Sequence, residues 1–333
     1  VLIGVGGLVT SKGAGMAVPD WPSTYGYNMF LFPVSNWVGG VFYEHSHRLV
    51  ASFVGLLTTI LVVWVIWRDP RRWMKWLAGG AFVLVVFQGV LGGLRVVLFK
   101  DEIGIFHAAL AQLFLLLLCC LALFTSRAWH RLGRDSTVPP GRGGWAVLGV
   151  ATVLIFVQLL VGATMRHQHS GLAVPDFPLA YGKLWPPMDE ASLAAINQQR
   201  TDPRDFGSVT AFQIGLHMTH RIGAVVVLLA VAWALARILQ GYPGQPGLRR
   251  WARVWMGMIL LQAFLGAWTV WSKKAADVAT AHVVLGAASL ALGGLLTLVA
   301  RKISVEATVP VLHPAPGPSP VAPAKTPVQA PVS

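Results

Sequence analysis

Four histidines, His47, His107, His220 and His282, stand near one end of long apolar runs and form two matched pairs. "EHSHR" (44–48) returns as "HMTHR" (217–221) after 173 residues, and "FHAALAQLFLLL" (106–117) as "AHVVLGAASLAL" (281–292) after 175. Imidazole at neutral pH transfers protons or ligates metals. Two imidazoles facing each other in a four-helix bundle make an axial pair for a haem iron. Zinc would want a third and fourth ligand, which only Glu44 or the adjacent His45 and His217 could supply. A lone histidine at a helix mouth is more often a hydrogen-bonding residue. These four, however, lie 21, 20, 17 and 19 residues before Arg68, Arg127, Arg237 and Arg301. At the helical rise that is about 25–32 Å from one boundary, a single level, and the duplication favours ligation.

Glu44 and His47 are three apart and share a helix face. A carboxylate beside a haem edge can accept protons or stabilise developing positive charge. Its counterpart in the second copy is His217, so the acid occurs once. One copy then does chemistry while the other carries electrons. The plainer reading of Glu44 is an ion pair with Arg48. Arg48 and Arg221, each following its histidine, suit porphyrin propionates as forked donors, or else snorkel to lipid headgroups. Ala108, Ala109, Gly223, Ala224, Gly286, Ala287 and Ala288 leave room for a flat macrocycle or for helix contact. Gln88 and Gln262 recur and are expected to bond between helices.

The elements that position these groups are membrane spans. The chain is 55% hydrophobic and 12% charged, too little polar surface for a soluble domain. Apolar runs near the roughly 20 residues of a span predict seven helices, at 42–67, 76–98, 104–125, 144–165, 212–237, 251–271 and 279–300. Residues 1–10, too short to cross, are expected to be the outer part of an eighth, truncated here. Loops 68–75, 126–143 and 237–253 with the tail hold 15 of the 26 Lys and Arg against three acids. This positive-inside pattern puts both termini in the cytoplasm and the histidines near the outer face, and argues against nucleic-acid binding. Cys119 and Cys120 adjoin within a span, so neither a disulfide framework nor a CxxC site is expected.

"SKGAGMAVPDWPSTYG" (11–26) returns as "HQHSGLAVPDFPLAYG" (167–182), offset 156, and "FQGVLGGLRV" (87–96) as "LQAFLGAWTV" (261–270), offset 174. An all-α integral membrane protein of two pseudo-symmetric four-helix bundles follows. Its expected parts are 1–125, a linker at 126–143, 144–302, and a disordered Pro-rich tail at 303–333. The "PDWP" and "PDFP" loops would lid the bundle mouths or anchor at the interface. A short interfacial helix is expected near 189–199.

Taken together, "GLVTSKGAGMAVPDWP", "EHSHRLVAS", "FQGVLGGLRV", "GATMRHQHSGLAVPDFPLAYGKLWPP", "HMTHRIGA" and "TAHVVLGA" resemble the haem A synthase family over residues 1 to about 300. The resemblance implies an oxidoreductase of the bacterial inner membrane that converts the C8 methyl of haem O to a formyl group, with water as oxygen source. It implies haem b on His220 and His282 beside Arg221. His47, His107 and Arg48 would face the substrate haem, with Glu44 as the functional acid. Implied partners are haem O synthase and the cytochrome oxidase assembly pathway, with an electron acceptor the sequence does not name; a homo-oligomer is compatible. Some family members carry an outer-loop cysteine pair, which this chain lacks. The alternatives are a b-type electron-transfer subunit and a non-catalytic haem carrier or assembly factor.

Overall fold

In lipid every backbone N–H and C=O must be bonded within the chain, so apolar runs become helices. A computed structural model describes residues 1–132, 143–200 and 207–306. Among these residues there are ten α-helices: α1 Leu2–Ser11, α2 Gly39–Arg68, α3 Arg72–Val97, α4 Asp101–Thr125, α5 Arg127–Arg131, α6 Gly144–His167, α7 Glu190–Gln199, α8 Ala211–Gly241, α9 Pro246–Trp271 and α10 Ala276–Glu306. Seven, all but α1, α5 and α7, are long and apolar enough to cross a membrane, as expected, and α1 is a shorter apolar helix. The interfacial helix near 189–199 appears as α7, begun by Asp189, whose carboxylate accepts the Ser192 N–H at 2.9 Å.

The expected boundaries shift where polar residues sit outside hydrocarbon yet keep helical bonding. The segment 126–143 opens with α5. Residues 303–306, read as the start of a disordered tail, are instead the last turn of α10. Ile303 is buried there, the Ser304 hydroxyl meets that of Tyr242 at 2.9 Å, and Lys302 pairs with Glu306 at 3.5 Å. The remainder of that tail and residues 133–142 of the linker lie outside the described residues.

Helices α1 to α4 pack in sequence as one unit, and α6, α8, α9 and α10 as the other, closed by α6 against α10. The halves meet through α1 on α10 and through α4 on both α6 and α10. Helix α10 is thus central: 44% of its apolar window is buried, against 17–22% in the other spans. Small residues permit the close approach. A Cβ added to Gly294 would lie 2.5 Å from Leu116 Cδ1 of α4, and one on Gly7 would lie 3.1 Å from Thr280 Cγ2.

Each half has an apolar core at the end away from its paired histidines. Val62, Met74, Ala78, Phe114 and Leu121 build the first; Leu148, Val231, Ile238, Trp255 and Leu290 belong to the second. Trp255 is fully buried, donates its indole N–H to Ser289 O at 2.8 Å, and packs on Gly293. Trp255→Ala is expected to cost about 3–5 kcal/mol, read as a large drop in the thermal midpoint of the detergent-solubilised protein. At the turn between α2 and α3, Asp69 accepts from the Arg71 guanidinium at 2.6 and 2.9 Å, and Arg71 also donates to Phe124 O of α4. The Arg71 bonds hold the Asp69 carboxyl down at about 2. Its fastening is therefore complete above the ordinary carboxylate range and lost only in strong acid.

Candidate functional site

Among the described residues, no apolar core cluster occupies either bundle at the level of the four histidines. In the second half the next cluster outward, Ala173, Val174, Ala180, Val209, Ile214 and Met218, belongs to the outer loop and its seat. Histidines and glycines fill the layer between. His47 is on α2 and His107 on α4; His220 is on α8 and His282 on α10. Neither α2 with α4 nor α8 with α10 is a closely packed pair, so each histidine pair comes from helices set across the bundle.

The other two helices of each half supply glycines. A Cβ on Gly6 of α1 would lie 3.0 Å from His47 Cε1, and one on Gly92 of α3 would lie 3.5 Å from His107 Cε1. In the second half, Gly162 of α6 stands in the same way 3.1 Å from His220 Cε1, and Gly266 of α9 stands 3.2 Å from His282 Cε1. Gly6 and Gly162 are related by the offset of 156, Gly92 and Gly266 by that of 174. Sequence reasoning singled out other small residues and missed these four. The repeat offsets, applied to glycine, would have found them.

The His220 and His282 rings have centroids 6.3 Å apart. Two metal–imidazole bonds of about 2 Å, plus about 1.1 Å from each nitrogen to its ring centre, require about 6.2 Å. No group of three or more His, Cys, Asp or Glu able to hold a metal occurs among the described residues. Two nitrogens without a third ligand match a metal that brings its own equatorial ligands. The Nδ1 atoms of His47, His107 and His282 are buried without a partner, while His220 Nδ1 is 3.1 Å from Gln158 Nε2. Gln88 donates to His107 O at 3.1 Å and Gln262 to His282 O at 2.9 Å, the expected inter-helix bonds. These residues fit a haem.

The outer loops are latched onto α2 and α8. Glu44 is 4% exposed and both its oxygens are engaged: Oε2 accepts the Val18 N–H at 2.9 Å, and Oε1 pairs with Arg48 at 2.8 Å. In the second half His217 takes the same place, its Nδ1 facing the Val174 N–H at 3.3 Å. Arg48 donates to Val18 O, Asp20 O and Ser23 O; Arg221 donates to Val174 O, Asp176 O and Leu179 O. Both guanidinium groups, read from sequence as donors to propionates, spend their terminal nitrogens on loop carbonyls, while Arg221 Nε is buried without a partner. Each loop is braced alike: Tyr25 and Tyr181 donate their hydroxyls to Ala17 O and Ala173 O at 2.5 Å. Asp20 and Asp176 cap the following turns. Partial burial raises the Asp20 carboxyl, but hydrogen bonds from Gly26, Ser23 and Tyr25 outweigh it and hold the group below the carboxylate range. Trp21 lies on Gly93 of α3, and Trp271 of α9 bonds Phe177 O at 3.1 Å, so the first loop touches both α2 and α3 and the second both α8 and α9.

His45 has no exposed surface. It touches the Thr24 hydroxyl through Nδ1 at 3.2 Å, packs against Phe32 and Trp37, and leaves Nε2 unpartnered. It braces the loop. His167, read as a loop residue, ends α6 and packs on Gly104 of α4.

The family profile described as cytochrome oxidase assembly protein matches residues 35–293. A protein of Geobacillus kaustophilus named heme A synthase is 28% identical, the match covering 92% of this chain and 90% of that one. Proteins of the same name from Bacillus cereus and Sphingopyxis alaskensis are each 26% identical; the matches cover 92% and 86% of this chain and 91% and 84% of the relatives.

Proposed function

The chain belongs to the cytochrome oxidase assembly protein family, and from that premise we propose that it is a haem A synthase, an oxidoreductase that converts the C8 methyl of haem O to a formyl group. The observation that carries this reading is the twofold His–Gly layer under a latched loop, with a carboxylate at the mouth of one half alone. The relatives' names support the same activity. The half spanning residues 1–125 takes the substrate haem between His47 and His107. The half spanning 144–302 holds haem b between His220 and His282. When bound, a bis-imidazole haem supplies one-electron redox chemistry.

The chain's own residues do the rest. The glycines let two imidazoles and a flat ring share one layer. The loops held by Arg48 and Arg221 cover the mouths. Glu44, one helical turn outside His47, takes up the proton or stabilises the positive charge that develops as the methyl group is oxidised. Gln158 donates its amide N–H to His220 O at 2.7 Å and lies 3.1 Å from His220 Nδ1, so it would steady that ring for a haem. The setting we propose is a bacterial inner membrane, with both termini cytoplasmic and the haem level near the outer face. Haem O synthase upstream and cytochrome oxidase assembly downstream are its partners.

Expression in cells that make haem O but no haem A, followed by pigment extraction, tests this directly. Haem A should appear. Bound haem b and haem O without haem A would favour a carrier. Gly162→Val and Gly266→Val place branched carbon where a Cβ already approaches a histidine at 3.1 and 3.2 Å. Each is expected to yield folded protein whose haem b content falls several-fold.

A further inference from the structure

Beyond the two histidine layers, the outer ends of α3, α4 and α6 and the turn between α9 and α10 gather a second set of charged groups. Arg95 lies three residues beyond Gly92 on the same face of α3, and Arg166 four beyond Gly162 on the same face of α6. Each arginine therefore sits one turn outside a glycine that cradles a histidine of its own half. At the repeat-related positions beyond Gly6 and Gly266 stand Thr10 and Thr269, so each half has one arginine and one threonine at this level.

These cations are undersupplied with acceptors. Arg95 bonds Asp101 at 3.0 Å through one terminal nitrogen, and its Nε is buried without a partner. Arg166 commits one nitrogen to Gly7 O and Ser11 Oγ, both at 2.5 Å. Lys274 folds over Gly171 with no ion pair among the described residues, and burial together with the Arg166 charge pushes its ammonium below the ordinary lysine range. Among the described residues Asp101 is the carboxylate that pairs with Arg95, and its oxygens also lie 4.0 and 3.9 Å from His167 and His169. Desolvated cationic donors in excess of acceptors are costly unless an anion joins them. The terminal nitrogens of Arg48 and Arg221 are already engaged by loop carbonyls.

We infer that Arg95 in the first half, and Arg166 with Lys274 in the second, anchor the propionate carboxylates of the two porphyrins. The inference rests on the haem reading of the histidine layers. A macrocycle gripped by His220 and His282, with one edge toward the outer rim, brings its carboxylates to the level one turn beyond Gly162, and likewise beyond Gly92. Guanidinium is suited to such carboxylates by its fork, and the lysine adds a compact charge.

The test titrates haem-depleted, full-length protein with iron protoporphyrin IX and with its dimethyl ester, which keeps the ring and iron but has no carboxylate. The low-spin bis-imidazole absorbance reports binding. The wild-type protein is expected to bind the ester about tenfold to a hundredfold more weakly than the free acid, the loss of one or two charge-assisted hydrogen bonds. In Arg166→Gln that gap should shrink. Lys274→Gln, which leaves the Gly7 and Ser11 contacts of Arg166 intact, should shrink it as well. Equal binding of acid and ester by the wild type, with the bis-imidazole spectrum formed, overturns the inference and leaves the haem reading standing. Failure of both porphyrins to bind overturns the haem reading and this inference with it.

Discussion

Replacing His220 or His282 with alanine is expected to abolish the low-spin b-type absorbance of the purified protein. The two rings stand 6.3 Å apart, and the described residues offer no third ligand to take over. Losing either imidazole leaves at most a five-coordinate, high-spin iron, so the effect should approach completeness. Alanine is a better helix former than histidine, and the substituted side chains leave a polar layer, so the bundle should still fold. An unchanged thermal midpoint of the apo form separates ligand loss from unfolding. His47→Ala should behave oppositely, keeping the b-type spectrum and losing product. A protein in which His47→Ala alone removes that spectrum would reverse the proposed assignment of the halves.

Glu44→Gln is expected to lower haem A formation about a hundredfold or more while both porphyrins remain bound. Glutamine keeps the shape and can still accept the Val18 N–H, so the loop latch survives. Arg48 loses its ion pair but keeps three loop carbonyls. Because breaking a buried pair can cost about 3–5 kcal/mol, the thermal midpoint must be read beside the activity. Glu44→His is the sharper variant, since it copies His217 of the second half, which faces the equivalent loop N–H. It should retain the latch and be as inactive as Glu44→Gln. Product formation at the wild-type rate by either variant would show that position 44 fastens the loop and takes no part in chemistry.

Much of this architecture is legible in the chain. Hydropathy locates all seven spans to within a few residues, because hydrocarbon demands a run of fixed length. Capping chemistry and amphipathic composition locate α7. Shared offsets relate Gln88 to Gln262 and their bonds to the histidine carbonyls follow the same repeat. Other features are not legible. In a soluble helix, periodicity separates the buried face from the wet one. Here lipid is as apolar as the interior, so nothing in the pattern of α1, α3, α6 or α9 says that Gly6, Gly92, Gly162 and Gly266 face the histidines. Arg48 and Arg221 look like free forks until loop carbonyls from residues 18–23 and 174–179 close on them.

The amino-acid sequence alone determines that the chain is a duplicated, all-helical membrane protein with one histidine pair per copy, and that one copy carries an acid where the other has a histidine. Those properties depend on composition, run length and repeat, each readable along one dimension. Tertiary structure alone decides which helices cross the bundle from one another and which glycines receive each ring. It also decides that Glu44 and His217 perform the same latch, and that Arg95, Arg166 and Lys274 converge with few acceptors. Those depend on the rotation of each helix about its axis. In a membrane that angle is chosen by close packing of side chains between helices, because the solvent is apolar on every side.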